Sequence, residues 1–522
     1  MLFFVAALLY TSVHVLGVTG APSTPALEIP GAQQSAAPVS NPRPVENASR
    51  RSSAASGSVR LASAELISDS AVRTSPVFLS APVEGVPALS TTLSACGADH
   101  DRATTSTAAG RISAPDCLTQ LGEAAPAPLA RFAASFGHDD TAALAFAAAL
   151  GERGSALATN AWWRGLAPEA RGILISTIPA VVGNLEGIPY RDRDAANRIT
   201  LTSTIARLTD GSSSGGLDGD ARQLVMLQQV RIALDRGREG DDARRSLLSL
   251  DTVFPGKAAV AVGNVDTADN VTMMVPGMLY TVSNQVTWWT DRAADLHSEQ
   301  DFWSSTLATR ATKTAASNAT IAWMGYRTPD LTNVLGLSLA KAGAVHLEDA
   351  VAGLKAARTG AEPHVTLIAH SYGSTTATIA LTSGKIHVDS FVILGSPGSV
   401  VSSASKLDVT RGNVYAAAAA LDPVAGSGVF GIDPGSTAFG ATLLNIAGGT
   451  DPYTEQHLTA VLTHNRYFTP GSQSMRNLAL IGIGRGSLAG GRAPSPNGPA
   501  LANQPSVAYV RPQDINREAL GA

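Results

Sequence analysis

With 38 basic and 42 acidic side chains in 522 residues, a net charge of −4, this chain offers no electrostatic reason to bind nucleic acid or an anionic surface. Its hydrophobic content of 44% is that of a globular protein. The length would hold about three domains of roughly 150 residues, yet several stretches lack the apolar residues to build a core, so one large domain with appendages is expected. The two cysteines, Cys96 and Cys117, favour a single disulfide in an exported chain, and neither has the His or Cys neighbours of a metal site.

The chain opens on an almost unbroken apolar run, Leu2 to Val18, followed by small residues through Ala21. It is predicted to be a signal peptide over residues 1–20, with an uncleaved membrane anchor and a misassigned start as the alternatives, since no Lys or Arg precedes Arg43. A secreted or cell-envelope location follows as an expectation. Residues 21–58, rich in Ala, Ser, Pro and Asn, read as a disordered linker. Residues 59–126 are weakly patterned and would carry the disulfide.

From residue 127 to 250 the period is helical, with Phe132, Phe136, Leu144, Phe146 and Leu150 on the packed face and a charged helix or helix pair over 220–250. A Gly/Pro-rich connector runs from Ile178 to Pro189. Asn184, Glu186 and Asp194 near it are read as solvated or capping groups, because no His or calcium-loop spacing accompanies them.

After Thr252 strands and helices alternate. Strands are predicted at 257–262, 270–275, 320–324, 365–369, 390–395, 414–421 and 443–447, the first two as neighbours joined by a polar turn over 263–269. Helices are predicted at 283–312, 334–358 and 372–383. This is the rhythm of an α/β protein, a doubly wound, mostly parallel sheet over 251–485, with a Gly/Pro-rich tail over 486–522. Ligand-facing residues of such a sheet lie at the carboxyl ends of its strands.

One stretch carries chemistry. The apolar strand Val365 to Ala369 runs through His370-Ser371-Tyr372-Gly373 into a helix, the strand-turn-helix setting of a nucleophile elbow, with Ala369 where the G-x-S-x-G pattern has its first glycine. The plainer reading of Ser371 is a helix N-cap. In an α/β-hydrolase the acid and then the histidine follow the serine. Asp422, ahead of Pro423 at a strand end, is the candidate acid over Asp408, Asp433 and Asp451; an Asx turn is its structural alternative. His464 is the candidate base over His457, and His370 is expected to point away from the serine. Oxyanion donors are expected from the backbone N–H of Tyr372 and of Met278, where Gly277 permits close approach. The helical 127–250 segment with Trp162-Trp163 is the candidate cover for the site, and Trp288-Trp289 and Trp303 are candidates to line an acyl pocket, although packing against the sheet is the expected use of at least half of them. No Gly-rich phosphate loop opens a βαβ unit, so no NAD or nucleotide is expected; no cofactor and no metal are predicted.

The chain resembles an actinobacterial α/β-hydrolase family long catalogued as a domain of unknown function. The matching blocks include Trp162-Trp163 to Leu166, Pro179 to Pro189, Arg193 to Arg198, Val275-Pro-Gly277, Ala322 to Tyr326, Ala369-His-Ser-Tyr-Gly-Ser374, Gly395 to Gly398, Asp422-Pro423, Phe430 to Pro434 and His464-Asn-Arg-Tyr467. The family pattern has glycine where Ala369 stands. The resemblance implies a serine hydrolase with the triad Ser371, Asp422 and His464. The expected function is hydrolysis of a carboxylic ester, small-molecule or lipid, through an acyl-enzyme. An aryl or short-chain acyl ester comes first, with envelope lipids and cutin-like polyesters behind. The alternatives are amidase or peptidase activity, or a non-catalytic envelope protein on the same scaffold.

Overall fold

A computed structural model describes residues 114–136, 140–211, 217–236, 244–311, 314–358 and 360–492. The predicted signal, the linker, Cys96 and the chain after 492 lie outside the described residues. Eight helices precede the sheet: α1 (Ala114–Glu123), α2 (Pro126–Ser135), α3 (Thr141–Arg153), α4 (Ala156–Gly165), α5 (Pro168–Thr177), α6 (Pro179–Val182), α7 (Tyr190–Thr209) and α8 (Leu217–Asp235). The first of them pack on Trp163, Leu129, Leu174 and Cys117, all nearly or fully buried, whereas α8 and the end of α7 pack with the sheet through Met226, Leu227, Val230 and Leu201.

The sheet that follows contains β1 (Arg245–Asp251), β2 (Lys257–Gly263), β3 (Asn270–Val275), β4 (Asn318–Met324), β5 (His364–His370), β6 (Ser390–Leu394), β7 (Val414–Ala417), β8 (Thr442–Leu444) and, after the two-residue strands β9 (Gly449–Thr450) and β10 (His457–Leu458), β11 (Gly491–Arg492). Its order is β1-β2-β4-β3-β5-β6-β7-β8-β11. Pairing is parallel from β4 through β8 and antiparallel at β1–β2, β2–β4 and β8–β11. Helices α9 (Val282–Ala311) and α12 (Gln473–Gly482) cover one face; α10 (Ser338–Ala357) and α11 (Tyr372–Ala380) cover the other. Along β5 the side chains therefore alternate between two apolar cores, Val365, Leu367 and Ala369 into one and Ile368 into the other. Burial on both faces is why the central strands read as continuous apolar runs.

Four expectations are corrected. β2 and β3 are not neighbours, because β4 lies between them. A polar segment of this length spans a one-strand gap of roughly 10 Å as easily as it closes a hairpin. The segment over 220–250 is not wholly helical: Arg245–Asp251 is the first strand of the sheet, and a bulge between Leu247 and Ser249 breaks the alternation that marks a strand. The catalytic core accordingly starts before residue 251. At its other end, residues 486–492 are not tail, since β11 pairs with β8.

The outer side of β1 is closed by side chains of the helical layer. The Leu247 N–H donates to Asp194 Oδ1 at 2.7 Å, and its carbonyl accepts from Asn197 Nδ2 at 3.1 Å. Asn184 does the same for Leu250, donating to its carbonyl at 2.9 Å and accepting from its N–H at 3.0 Å, as a neighbouring peptide unit would. Arg198 donates to the Arg245 carbonyl at 2.8 Å. Arg193, 2% exposed, holds the Gly183 carbonyl and pairs with both Glu186 oxygens. Asn184 and Asp194 thus fasten an edge strand, while Glu186 holds Arg193 within the helical layer. Asn184→Ala leaves two backbone groups of Leu250 unpaired and is expected to cost about 2 to 4 kcal/mol. A urea midpoint that falls at constant m-value checks this, and an unchanged midpoint refutes it.

Candidate active site

At the carboxyl end of β5 the chain turns sharply into α11, and Ser371 at the turn has φ 55° and ψ −129°. A non-glycine residue keeps such torsions only where its surroundings over-determine them. Here Gly373 allows the approach: a Cβ on it would stand 2.4 Å from the Pro276 carbonyl oxygen. Ala369, fully buried between Val275 of β3 and Ile393 of β6, places its methyl in the core, and the turn keeps its shape without the first glycine.

His464 Nε2 lies 3.0 Å from Ser371 Oγ, and its Nδ1 lies 2.9 Å from both Asp422 oxygens. Asp422 is fully buried. Its Oδ1 also accepts from the N–H groups of Val424 and Ala425, so the aspartate is at once an Asx turn and the partner of His464. Tyr467 donates its hydroxyl to Asp422 Oδ2 at 2.7 Å and accepts from the Ala419 N–H. Burial alone would push the Asp422 carboxyl up. The charge and hydrogen bond of His464, with the bonds from Tyr467 and Val424, hold it below the usual carboxylate range. Burial and then Asp422 push the Tyr467 phenol well above its ordinary value, which keeps it a donor.

The competing residues lie elsewhere. Asp408 accepts from His387, Asp433 caps Gly435, and Asp451 pairs with Arg476. His457 is exposed on β10. Gly395, with φ 56°, sits against the cluster: a Cβ there would stand 2.7 Å from Asp422 Oδ2 and 3.0 Å from His464 Nδ1. Neither Gly395 nor Tyr467 was assigned a role from sequence, although both fall in blocks shared with the family.

Gly277 lies beside the serine, where an added Cβ would be 2.7 Å from Ser371 Cβ. Its loop is pinned by Tyr326, which donates to the Pro276 carbonyl at 2.6 Å, and by the Leu279 N–H on Pro329. Among the described residues the backbone N–H groups of Met278 and Tyr372 donate to no protein acceptor, as groups reserved for a ligand oxygen would be.

A cleft of about 460 Å³, counted with its mouth, opens over Ser371. Its walls are Met278 and Tyr372, the loop carrying Val334 and Leu335, and the segment from Pro423 to Phe430. No described residue of the 127–250 segment lines it, so the described helices of that layer, with Trp162-Trp163, do not cover the site. Trp163 instead bonds Asp192 inside that layer. Trp289 and Trp303 are buried against the sheet, with Trp288 stacked on Trp289, and none of the three lines the cleft. Long apolar rings that the sequence offers to a pocket are claimed first by the core.

His370 does point away from the serine hydroxyl, into a nest of Tyr280, Tyr467 and Phe468 rings beside His464. Its Nε2 lies 2.8 Å from the His464 carbonyl oxygen, and its Nδ1 has no partner among the described residues. Burial, then His464, pushes its pKa down to about 3, so the ring is neutral and donates through Nε2. In the unfolded chain a histidine takes its proton near pH 6.5. Stability is therefore lost, at about 1.4 kcal/mol per pH unit, as pH falls from about 6.5 toward 3. His370→Gln, which keeps a donor but cannot charge, is expected to show a shallower fall of Tm between pH 6.5 and 4. Parallel Tm profiles for parent and variant would refute the assignment.

A serine, a histidine and a buried aspartate at the carboxyl edge of this sheet define the α/β-hydrolase class. Residues 251–431 match an alpha/beta hydrolase family model, and the chain belongs to the alpha/beta hydrolase family. The uncharacterized protein Rv0963c of Mycobacterium tuberculosis is 33% identical over 266 residues, which cover 48% of this chain and 95% of that protein. The uncharacterized protein Rv2079 of the same organism is 30% identical over 370 residues, 62% of this chain. The chain spans only 55% of the length of that longer relative. Among solved structures, an arylesterase aligns at 12% identity and TM-score 0.27, covering 56% of this chain and 97% of its own. An esterase of Pyrobaculum calidifontis aligns with the same score and identity over 55% and 98%.

Proposed function

We propose that this hydrolase is a serine enzyme cleaving carboxylic esters through an acyl-enzyme, with Ser371 as nucleophile, His464 as general base and acid, and Asp422 as the group that orients His464. The observation that carries the reading is the continuous chain of contacts from Ser371 Oγ through both ring nitrogens of His464 to a buried carboxylate. The Asp422 carboxylate selects the tautomer with hydrogen on Nδ1, which leaves Nε2 free to accept the serine proton. As Oγ bonds to the ester carbon, the carbonyl electron pair moves onto oxygen, where the Met278 and Tyr372 N–H groups would receive it. The proton on Nε2 then passes to the alcohol oxygen as the carbon–oxygen bond breaks. Water, deprotonated by the same nitrogen, attacks the acyl carbon; the bond from that carbon to Ser371 Oγ then breaks as Nε2 returns the proton to Oγ, and the acid is released. An exported or envelope-associated location and a Cys96–Cys117 disulfide belong to the same proposal and rest on the apolar run from Leu2 and the cysteine count.

A fluorophosphonate probe tests the reading. It should attach one equivalent to the peptide containing Ser371, and denatured protein should take up none. Folded protein that stays unlabelled would favour a scaffold without catalysis.

A further inference from the structure

The cleft over Ser371 divides the substrate into two unequal parts. It is lined by the serine and by both residues proposed to donate to the oxyanion, Met278 and Tyr372, but not by His464. The general acid must touch the leaving oxygen, so the alcohol departs on the His464 side and the cleft is left for the acyl group. Its lining residues carry no charged side chain; beside Ser371 the polar groups are Ser427 and the Tyr372 hydroxyl. That hydroxyl is already engaged, donating to the Gly336 carbonyl and accepting from the Ala340 N–H.

The walls are held rather than loose. Tyr372 ties the Val334–Leu335 wall to the elbow, and the Phe430 ring packs edge-on against Tyr372 at 5.6 Å. The opposite wall begins at Pro423, immediately after Asp422, and is fixed by that carboxylate and by the Gly426 N–H on the Ser396 carbonyl. Between these walls the free space is about 460 Å³ even with the open mouth counted.

Resting on the serine-hydrolase reading above, we propose that the enzyme selects esters of short, uncharged, apolar carboxylic acids, with Phe430 and Leu335 setting the length and charge that the acyl pocket accepts. Each methylene that enters an apolar wall adds about fourfold to kcat/KM, until the chain meets Phe430. A carboxylate on the acyl chain would lose its water there without finding a partner. Leu335 is 36% exposed, at the mouth, where a longer polar side chain can be carried without disturbing the core.

The test is a p-nitrophenyl ester series from acetate through butyrate, hexanoate and octanoate to dodecanoate, with the glutarate monoester as the charged counterpart of hexanoate. The expected result is a rise of about fourfold per methylene to an optimum at or below octanoate, with the glutarate monoester at least about a hundredfold poorer than hexanoate. Phe430→Leu should move the optimum to a longer chain. Leu335→Arg should raise the glutarate-to-hexanoate ratio about tenfold or more by supplying the missing partner. A flat chain-length profile, a glutarate monoester as good as hexanoate, or ratios untouched by both variants would overturn the proposal while leaving a working serine hydrolase. No turnover together with no fluorophosphonate labelling would overturn the hydrolase reading, and this inference with it.

Discussion

Ser371→Ala is expected to lower kcat/KM on any ester the protein cleaves by on the order of 10⁵- to 10⁶-fold, with fluorophosphonate labelling lost entirely. The substitution removes one oxygen and its single side-chain bond, to His464. It keeps a Cβ in the same strained turn at φ 55°, so nothing in the fold has reason to move. Far-ultraviolet circular dichroism and Tm close to those of the parent would separate loss of chemistry from loss of structure. The residual rate should reflect the oxyanion donors and binding alone, which survive the substitution. A variant retaining more than about one per cent of parent activity would mean that Ser371 is not the nucleophile.

The second large effect is expected at the acid. In Asp422→Asn the amide group has the shape of the carboxylate but brings two donors to a place where His464 Nδ1 and the Tyr467 hydroxyl both already donate. The imidazole can relieve the clash by moving its own proton to Nε2, and then it can no longer accept one from Ser371. A loss of about 10⁴-fold in kcat with little change in KM is expected. Because the fault is a misplaced proton rather than a missing group, activity should recover partly at high pH, where hydroxide assists the serine. Loss confined to KM would show that Asp422 acts on binding and not on His464.

The site was legible where its signals are local. The elbow announces itself because a strand, a turn and a helix must be contiguous, and Asp422-Pro423 is a local turn signal, although β7 ends at Ala417 rather than at Leu421 as expected. His464 was found by chain order, since the acid narrows the choice to two downstream histidines. What escaped is set by contacts between distant segments. Gly395 looks like an ordinary strand-end glycine until Asp422 and His464 are folded onto it, and Tyr467 looks like one more aromatic until its hydroxyl meets a buried carboxylate. The parallel sheet was legible because both-face burial writes continuous apolar runs, whereas the place of β4 between β2 and β3 depends on a crossover that leaves no mark in either strand. Packing against the sheet was the expected use of at least half of Trp288, Trp289 and Trp303, and the structure puts all three there: the same rings suit a pocket and a core, and the core is the larger sink for apolar area.

The fastening of β1 by Asn184, Asp194 and Asn197 has a bearing on where this chain can be cut. A protein begun at residue 251, the first residue matched by the family model, would lack that strand and present the bare margin of β2 to the solvent. Such a margin recruits strands from other molecules, and fibrous or insoluble material is its natural outcome. The helices upstream are thus the sheet's selvedge, woven in so that the fabric does not run, and the smallest portion able to stand alone must include them.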